Sequence, residues 1–507
     1  MRNNHFSHNA ARETQEWSAA KHNIAMVGRC LLIPWTLLVV CNCFIITTPT
    51  QYPRRQQEEQ QQRTAQHILY HNSAHSREDH DNPTLLLSEL RSRFHKYRSS
   101  PFHAPDIERI LLLSDLHCDY VENREWLSNL CSSNNDDVDS NNKNSTQTMI
   151  LIAGDVSHDL EILRWTFQTL KQRFTEVAFV PGNHELWLDK SDGCTDSIDK
   201  MEKILQLCCE EDIRIGPVKV GASLWVIPLL SWHHLSFDSE PPICSDAWSG
   251  IPTASRTVKV AADYRKTSWP HPITPLDDSV AQFMDSLNDI IIDFGDDLDD
   301  DNDDGDAVTI LTFAHFLPRV ELLPEKRYLT LPTLPAFSGS TFLETRIRQL
   351  NTKLSANSIN SINETKHLHA FGHSHLSWDL KLDNIRYVHV PLAYPREWEQ
   401  RRRSLEIGTM AGAEMHRRFP VSIWCSSSQF PSEWLGGWWS KYYTIMPRQP
   451  HRTKELAPWV ARRFKQRSSA AVVEDFDHVK MEMEHKLQHP SHWTAKGNWY
   501  AEKKTLP

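Results

Sequence analysis

The chain is predicted to be an α/β protein, because short apolar runs alternate with helical periodicity and each run stops on a chemistry-bearing group. Ile110–Leu113 is followed by Ser114-Asp115-Leu116-His117, and Met149–Ile152 by Ala153-Gly154-Asp155. Phe179-Val180 breaks at Pro181-Gly182 and delivers Asn183, His184 and Glu185. Ile310–Phe313 runs into Ala314-His315, and Leu368–Phe371 into Gly372-His373-Ser374-His375. Runs this short, ended by such breaks, read as buried strands. Open α/β sheets bind ligands just beyond the carboxyl ends of their strands, so these five ends are expected to converge on one site.

Helices are expected between the strands. After Asp159, residues Leu160, Leu163, Phe167, Leu170 and Phe174 follow helical spacing. Further helices are expected over Ile198–Glu210, Val280–Ile292 and Thr341–Leu354. The adjacent Cys208 and Cys209 fall in Ile198–Glu210 and read as core packing. Two polar inserts interrupt the pattern: Ser132–Thr148, rich in Asn, Asp and Ser, and the acidic run 293–306. The latter lacks the closing Glu of an EF-hand loop and reads as a solvated segment.

The flanks differ in character. Residues 1–29 are polar, and residues 30–48 form an apolar stretch without charge. A bilayer takes roughly 20 such residues, so an uncleaved signal-anchor with single-pass membrane association is expected there, with a cleaved or transit signal and a disordered tail as the other readings. Arg29 on one side and Arg54 and Arg55 on the other set no orientation. The sequons at Asn144 and Asn363 would accept glycans only if the domain faced a lumen. Residues 49–105 read as a low-complexity linker, 106–395 as the α/β domain, and 396–507 as a basic, Trp-rich extension whose aromatic residues should pack on that domain.

A net charge of −10 argues against a general nucleic-acid partner, which needs concentrated Lys and Arg. The 10 Cys include no CxxC pair, so neither a zinc ribbon nor a disulfide framework is visible.

The converging residues suit a pair of metal ions. Asp115 and His117 are two apart, as are His373 and His375, so each pair points one way from an extended chain. Carboxylate and imidazole together favour Mn, Fe or Zn. Asp155 can bridge two cations, Asn183 adds a carbonyl oxygen, and His315 completes a set of seven. That is too many for one structural zinc, which takes four ligands, but suits two ions roughly 3.5–4 Å apart. Such a pair lowers the pKa of a bridging water and neutralises phosphoryl oxygens. His184 would stand beside it to protonate a leaving alkoxide. Glu185 or Asp159 would orient an imidazole, while His158 and Trp187 read as packing residues beside the pocket.

In this order the motifs D-x-H, G-D, G-N-H-E, H and G-H-x-H resemble the calcineurin-like metallophosphoesterase superfamily over roughly Ile107–Pro395. The resemblance implies a β-sandwich of two mixed sheets flanked by helices and hydrolysis of phosphate mono- or diesters by attack of a metal-bridging hydroxide. It also implies that Asp115, His117, Asp155 and His375 hold one metal and Asp155, Asn183, His315 and His373 the other, with His184 as proton donor. The phrases SDLHCDYVENREWL, FVPGNHELW, LLSWHH, FAHFLPR and VHVPLAYPRE are similar to an uncharacterised plant-type and bacterial subgroup. KELAPWVARRF extends that likeness to about Phe464. The protein-phosphatase branch carries a phosphate-gripping Arg after its G-D. Here Val156-Ser157-His158-Asp159 follows instead, and Arg319 is the substitute candidate for a phosphate contact. The alternative from another class is a catalytically silent binding scaffold, which would be expected to have lost His184 or Asp155; both are present.

Overall fold

Among the described residues, eleven strands in two mixed sheets carry the site. β1 (Phe102–Ala104), β2 (Arg109–Leu113), β3 (Thr148–Ala153), β4 (Glu176–Val180), β5 (Val218–Val220) and β6 (Leu224–Pro228) come first. After the two-residue β7 (Trp248–Ser249) follow β8 (Thr309–Phe313), β9 (Lys366–Phe371), β10 (Trp378–Leu382), β11 (Ile385–His389) and β12 (Val421–Cys425). One sheet runs β1-β5-β6-β8-β9-β11-β10 and the other β12-β2-β3-β4. The computed structural model describes residues 83–98, 100–132, 147–289, 309–356, 366–397, 420–432 and 437–472. The expected anchor at 30–48, the tail before it, both sequons and the acidic run 293–306 lie outside the described residues. Among the described residues no helix is long and apolar enough to cross a membrane.

Burial explains the strands. β3 and β9 are buried at every residue but the first, and β6 and β8 throughout. Strands covered on both faces read as continuous apolar runs. Apolar residues of both sheets belong to one core cluster, including Ile110 and Ile150 from one and Val226 and Leu368 from the other. The helix Leu160–Lys171 turns Leu163, Phe167 and Leu170 into this core. Ser197–Glu210 and Thr341–Ala356 match expectation to within a few residues, and the third expected helix is observed over Ser279–Ser286. Successive helical residues point about 100° apart, so Cys208 is buried but its neighbour Cys209 is exposed.

Two expected boundaries move. Within the expected linker, Pro83–Arg98 is a helix and β1 joins the larger sheet. Leu90 and Phe94 enter the core, and the buried Arg98 guanidinium donates to the carbonyls of Ile215, Pro228 and Leu287. Charged letters hid that segment, because the burial of Arg98 depends on carbonyls far away in sequence. The domain also does not end at Pro395. β12, from the extension, pairs antiparallel with β2, the strand that leads to Asp115. Farther on, Trp439 and Tyr442 are buried, and the Tyr442 and Tyr328 hydroxyls stand 2.9 Å apart.

Candidate metal centre

The three parallel strands β2, β3 and β4 and the parallel strands β8 and β9 end at the same edge of the molecule, and the loops beyond them stay zipped. Asp115 N donates to Gly154 O, His117 N to Asp155 O and Gly372 N to His315 O, each at 2.9 Å. Ser114 N reaches Val390 O across to the other sheet at 3.0 Å. Turning side chains inward at this junction takes unusual backbone. Asp115, His117, Asp155, His373 and His375 all have φ between 44° and 76°. Non-glycine residues held there cost of order 1–3 kcal/mol each and persist only when their surroundings impose them.

The loops also approach too closely for side chains. A Cβ on Gly182 would meet Asp155 Oδ1 and lie 2.8 Å from His315 Nε2, and one on Gly372 would lie 2.6 Å from Ala153 O.

The structure brings the seven expected ligands together. Donor atoms of Asp115, His117, Asp155 and His375 lie within 4.8 Å of one another, and so do those of Asp155, His315 and His373. Asp155 belongs to both groups. Asn183 Oδ1 joins the second, 3.1 Å from His315 Nε2 and 3.1 Å from His373 Nδ1.

The disposition of protons shows what such a centre suits. His315 Nδ1 faces Ala153 O at 2.8 Å, and His373 Nε2 faces Phe337 O at 2.9 Å. In the neutral tautomers these bonds select, the other nitrogen of each ring carries a lone pair. Asn183 Nδ2 donates to Asp263, so its oxygen is the atom turned inward. With His315 deprotonated at Nε2, two imidazole nitrogens, an amide oxygen and the Asp155 carboxylate face one another with no donor among them. A cation fits this donor set.

The electrostatics agree. Burial lowers the His315 pKa, but the charge and hydrogen bond of Asp155 outweigh it and lift it to about 9. The field that draws a proton to that nitrogen also draws a metal ion. His373 is pushed down to about 3 by burial and by His315, and His117 well below its usual value by burial and by His184. Both are thus kept as neutral imidazoles, the form a metal ligand requires. Burial would raise Asp115, yet the hydrogen bond from His389 and nearby imidazoles hold it well below the usual carboxylate range. Its Oδ2 accepts from Ser114 Oγ (2.6 Å) and His389 Nε2 (3.0 Å), and Oδ1 from His373 N (2.8 Å).

His184 belongs to neither ligand group. Its Nε2 stands 3.8 Å from Asp155 Oδ2, and its ring lies 3.7 Å from that of Trp187 at 30°.

Residues 108–266 match the model of the calcineurin-like phosphoesterase family. Over these residues the chain carries a calcineurin-like phosphoesterase domain. It is an enzyme of the metal-dependent phosphoric ester hydrolase class. It is 25% identical over 302 residues to the [acyl-carrier-protein] phosphodiesterase PptH of Mycobacterium tuberculosis (strain ATCC 25618 / H37Rv), covering 57% of this chain and 79% of the relative. The crystal structure of that organism's phosphopantetheinyl hydrolase (PptH) overlays at 20% identity and a TM-score of 0.40, over 58% of this chain and 93% of that one. A cold-active protein-tyrosine phosphatase of Shewanella sp. overlays at 12% identity and a TM-score of 0.21, over 59% and 74%.

Three expected roles in this metallophosphoesterase move. Asp159 orients no imidazole. It caps the helix Leu160–Lys171, accepting from Glu161 N and Ile162 N, because a carboxylate before a helix satisfies its free amides. Glu185 touches backbone instead of a ring: Oε2 accepts from Gly182 N and Asp155 N, Oε1 from Val156 N and Ser157 N. It thereby fixes the loop that presents Asp155. Burial and the Asp155 charge raise its pKa to about 7 against those four donors. Arg319 is held by Glu321, Glu344 and Asp383, so its guanidinium is spent on carboxylates and the structure assigns it no phosphate contact.

Imidazole orientation comes from residues that no motif marks. Glu397 Oε2 accepts from His375 Nδ1 at 2.7 Å, His389 fixes Asp115, and Tyr394 stacks on His117 at 4.2 Å. All three lie within VHVPLAYPRE, a stretch whose sequence carries no ligand spacing. Trp187, read as packing, turns out to support His184.

Proposed function

We propose that this chain hydrolyses phosphoesters with two cations that share Asp155, and that His184 protonates the departing oxygen. The observation that carries this reading is the convergence of His315 Nε2, His373 Nδ1, Asn183 Oδ1 and Asp155, beside a second group that shares Asp155. Asp115, His117, Asp155 and His375 would hold one ion; Asp155, Asn183, His315 and His373 would hold the other. When bound, such ions supply an activated water and neutralise the charge of the phosphoryl oxygens.

The protein groups supply the rest. Ser114 and His389 hold Asp115, Glu397 holds His375, and the carbonyls of Ala153 and Phe337 hold His315 and His373, so the ligands are positioned before substrate arrives. His184, stacked on Trp187, would pass its proton to the leaving alkoxide, and a group in that role contributes typically 10²–10⁴-fold. The Mycobacterium tuberculosis relative is an acyl-carrier-protein phosphodiesterase. A phosphodiester joining a phosphopantetheinyl group to a carrier protein is accordingly the substrate we propose first.

The test is elemental analysis combined with turnover of p-nitrophenyl phosphate, bis-p-nitrophenyl phosphate and a phosphopantetheinylated carrier protein. Two bound ions and metal-dependent cleavage of the diesters are expected. Folded, metal-loaded protein that cleaves none of the three would refute the reading.

A further inference from the structure

A buried carboxylate outside every motif touches both halves of the proposed machinery. Asp263 lies in the short helix Ala262–Lys266, 80 residues beyond Asn183. Its Oδ1 accepts two hydrogen bonds, from Asn183 Nδ2 at 2.9 Å and from Trp187 Nε1 at 2.8 Å. The first fixes which way the Asn183 amide faces. With Nδ2 committed to Asp263, Oδ1 must point at His315 and His373. The second pins the indole on which His184 rests.

The other oxygen faces a second buried group. Asp263 Oδ2 stands 3.3 Å from His233 Nε2, in a pocket walled by Tyr264, Phe316 and Phe337. Asp263 is 2% exposed, so the carboxylate is costly to keep unless its acceptors are used.

We infer that Asp263 is a positioning residue that ties the metal cage to the proton donor, by holding the Asn183 amide and the Trp187 indole on one oxygen. Without that oxygen the Asn183 amide is free to rotate and offer N–H, a non-ligand, to the second ion. The indole loses the bond that sets its plane under His184. The inference rests on the two-ion reading above, and its test separates the two.

The experiment measures metal stoichiometry and affinity by titrating metal-free protein with Mn²⁺, alongside kcat and KM, for the parent chain, D263L, D263N and W187F. A parent that binds no more than one ion sinks the two-ion reading itself. With two ions in the parent, D263L, branched at the same carbon but without an acceptor, is expected to bind one of them about 10–100-fold more weakly, in the range typical of residues that orient ligands. D263N retains an acceptor oxygen and is expected to restore that affinity. W187F keeps the ring and loses the donor, so kcat should fall with KM and both metal affinities unchanged. Its well-folded ring keeps the test alive should D263L fail to fold. Parental metal affinity in D263L, no rescue by D263N, or parental kcat in W187F would each overturn the inference.

Discussion

Replacing Gly182 by Ala is the sharpest steric probe of the centre. The new Cβ would lie 2.8 Å from both Asp155 N and His315 Nε2, and closer still to Asp155 Oδ1. An ordinary contact is roughly 3.5 Å or more, so Asp155 N and His315 Nε2 must give way by roughly 0.7 Å, and Asp155 Oδ1 by more. Every group in the path is either a proposed ligand or its backbone. Inserting one carbon into packed surroundings costs about 1–3 kcal/mol, while misplacing reacting groups by 1 Å can cost about 10² in rate. The control is Gly193→Ala. Its φ is 59° and the nearest outside atom to a Cβ is Lys203 Nζ at 3.8 Å, so the left-handed backbone alone should cost about 1–2 kcal/mol. Thermal unfolding and metal content measured together distinguish the two. Both variants are expected to lose stability to a similar degree, but only G182A should lose metal and turnover. Parental metal affinity and turnover in folded G182A would refute the close packing of Asp155 and His315 around Gly182.

Other consequences follow from single contacts. His184→Ala should lower turnover by about 10²–10⁴ and leave metal content intact; equal loss of metal would make His184 a ligand. Glu397→Ala removes the partner of His375 Nδ1 and should weaken one metal site about 10–100-fold by titration. Ending the chain at Pro395 removes β12 together with the buried Ile423 and Trp424 and leaves β2 with an unpaired edge beside Ile110 and Leu112, so aggregated protein is expected by sedimentation; a soluble, active product would contradict the pairing. Arg319→Ala should leave KM unchanged, because its guanidinium faces Glu321, Glu344 and Asp383; a tenfold rise on the order of 1.4 kcal/mol of lost binding would restore it as a phosphate contact.

The parts of the molecule that were legible in sequence are those where one short stretch carries both the burial signal and the chemistry. Leu111–His117 is such a stretch: an apolar run long enough to be a strand, then Asp and His. β10 and β11 were not recognised, since their role depends on pairing with each other and with β9. Pro83–Arg98 reads as linker because Arg and Lys are interleaved with its apolar residues, until the partners of Arg98 are known. The positioning carboxylates were invisible for the same reason. Glu397 and Asp263 are solitary acids, and only folding reveals that one reaches His375 and the other Asn183. Asp159 and Glu185 misled in the opposite direction: proximity to the motifs suggested rings, but the nearest unsatisfied donors were backbone amides.

The sharing of one carboxylate by two cations is the claim on which the rest depends. Anomalous diffraction from crystals soaked in Mn²⁺ measures it most directly. Two peaks roughly 3.5–4 Å apart are expected, with Asp155 between them and Asn183 at one side. A single peak, or two peaks of which only one contacts Asp155, would contradict the account.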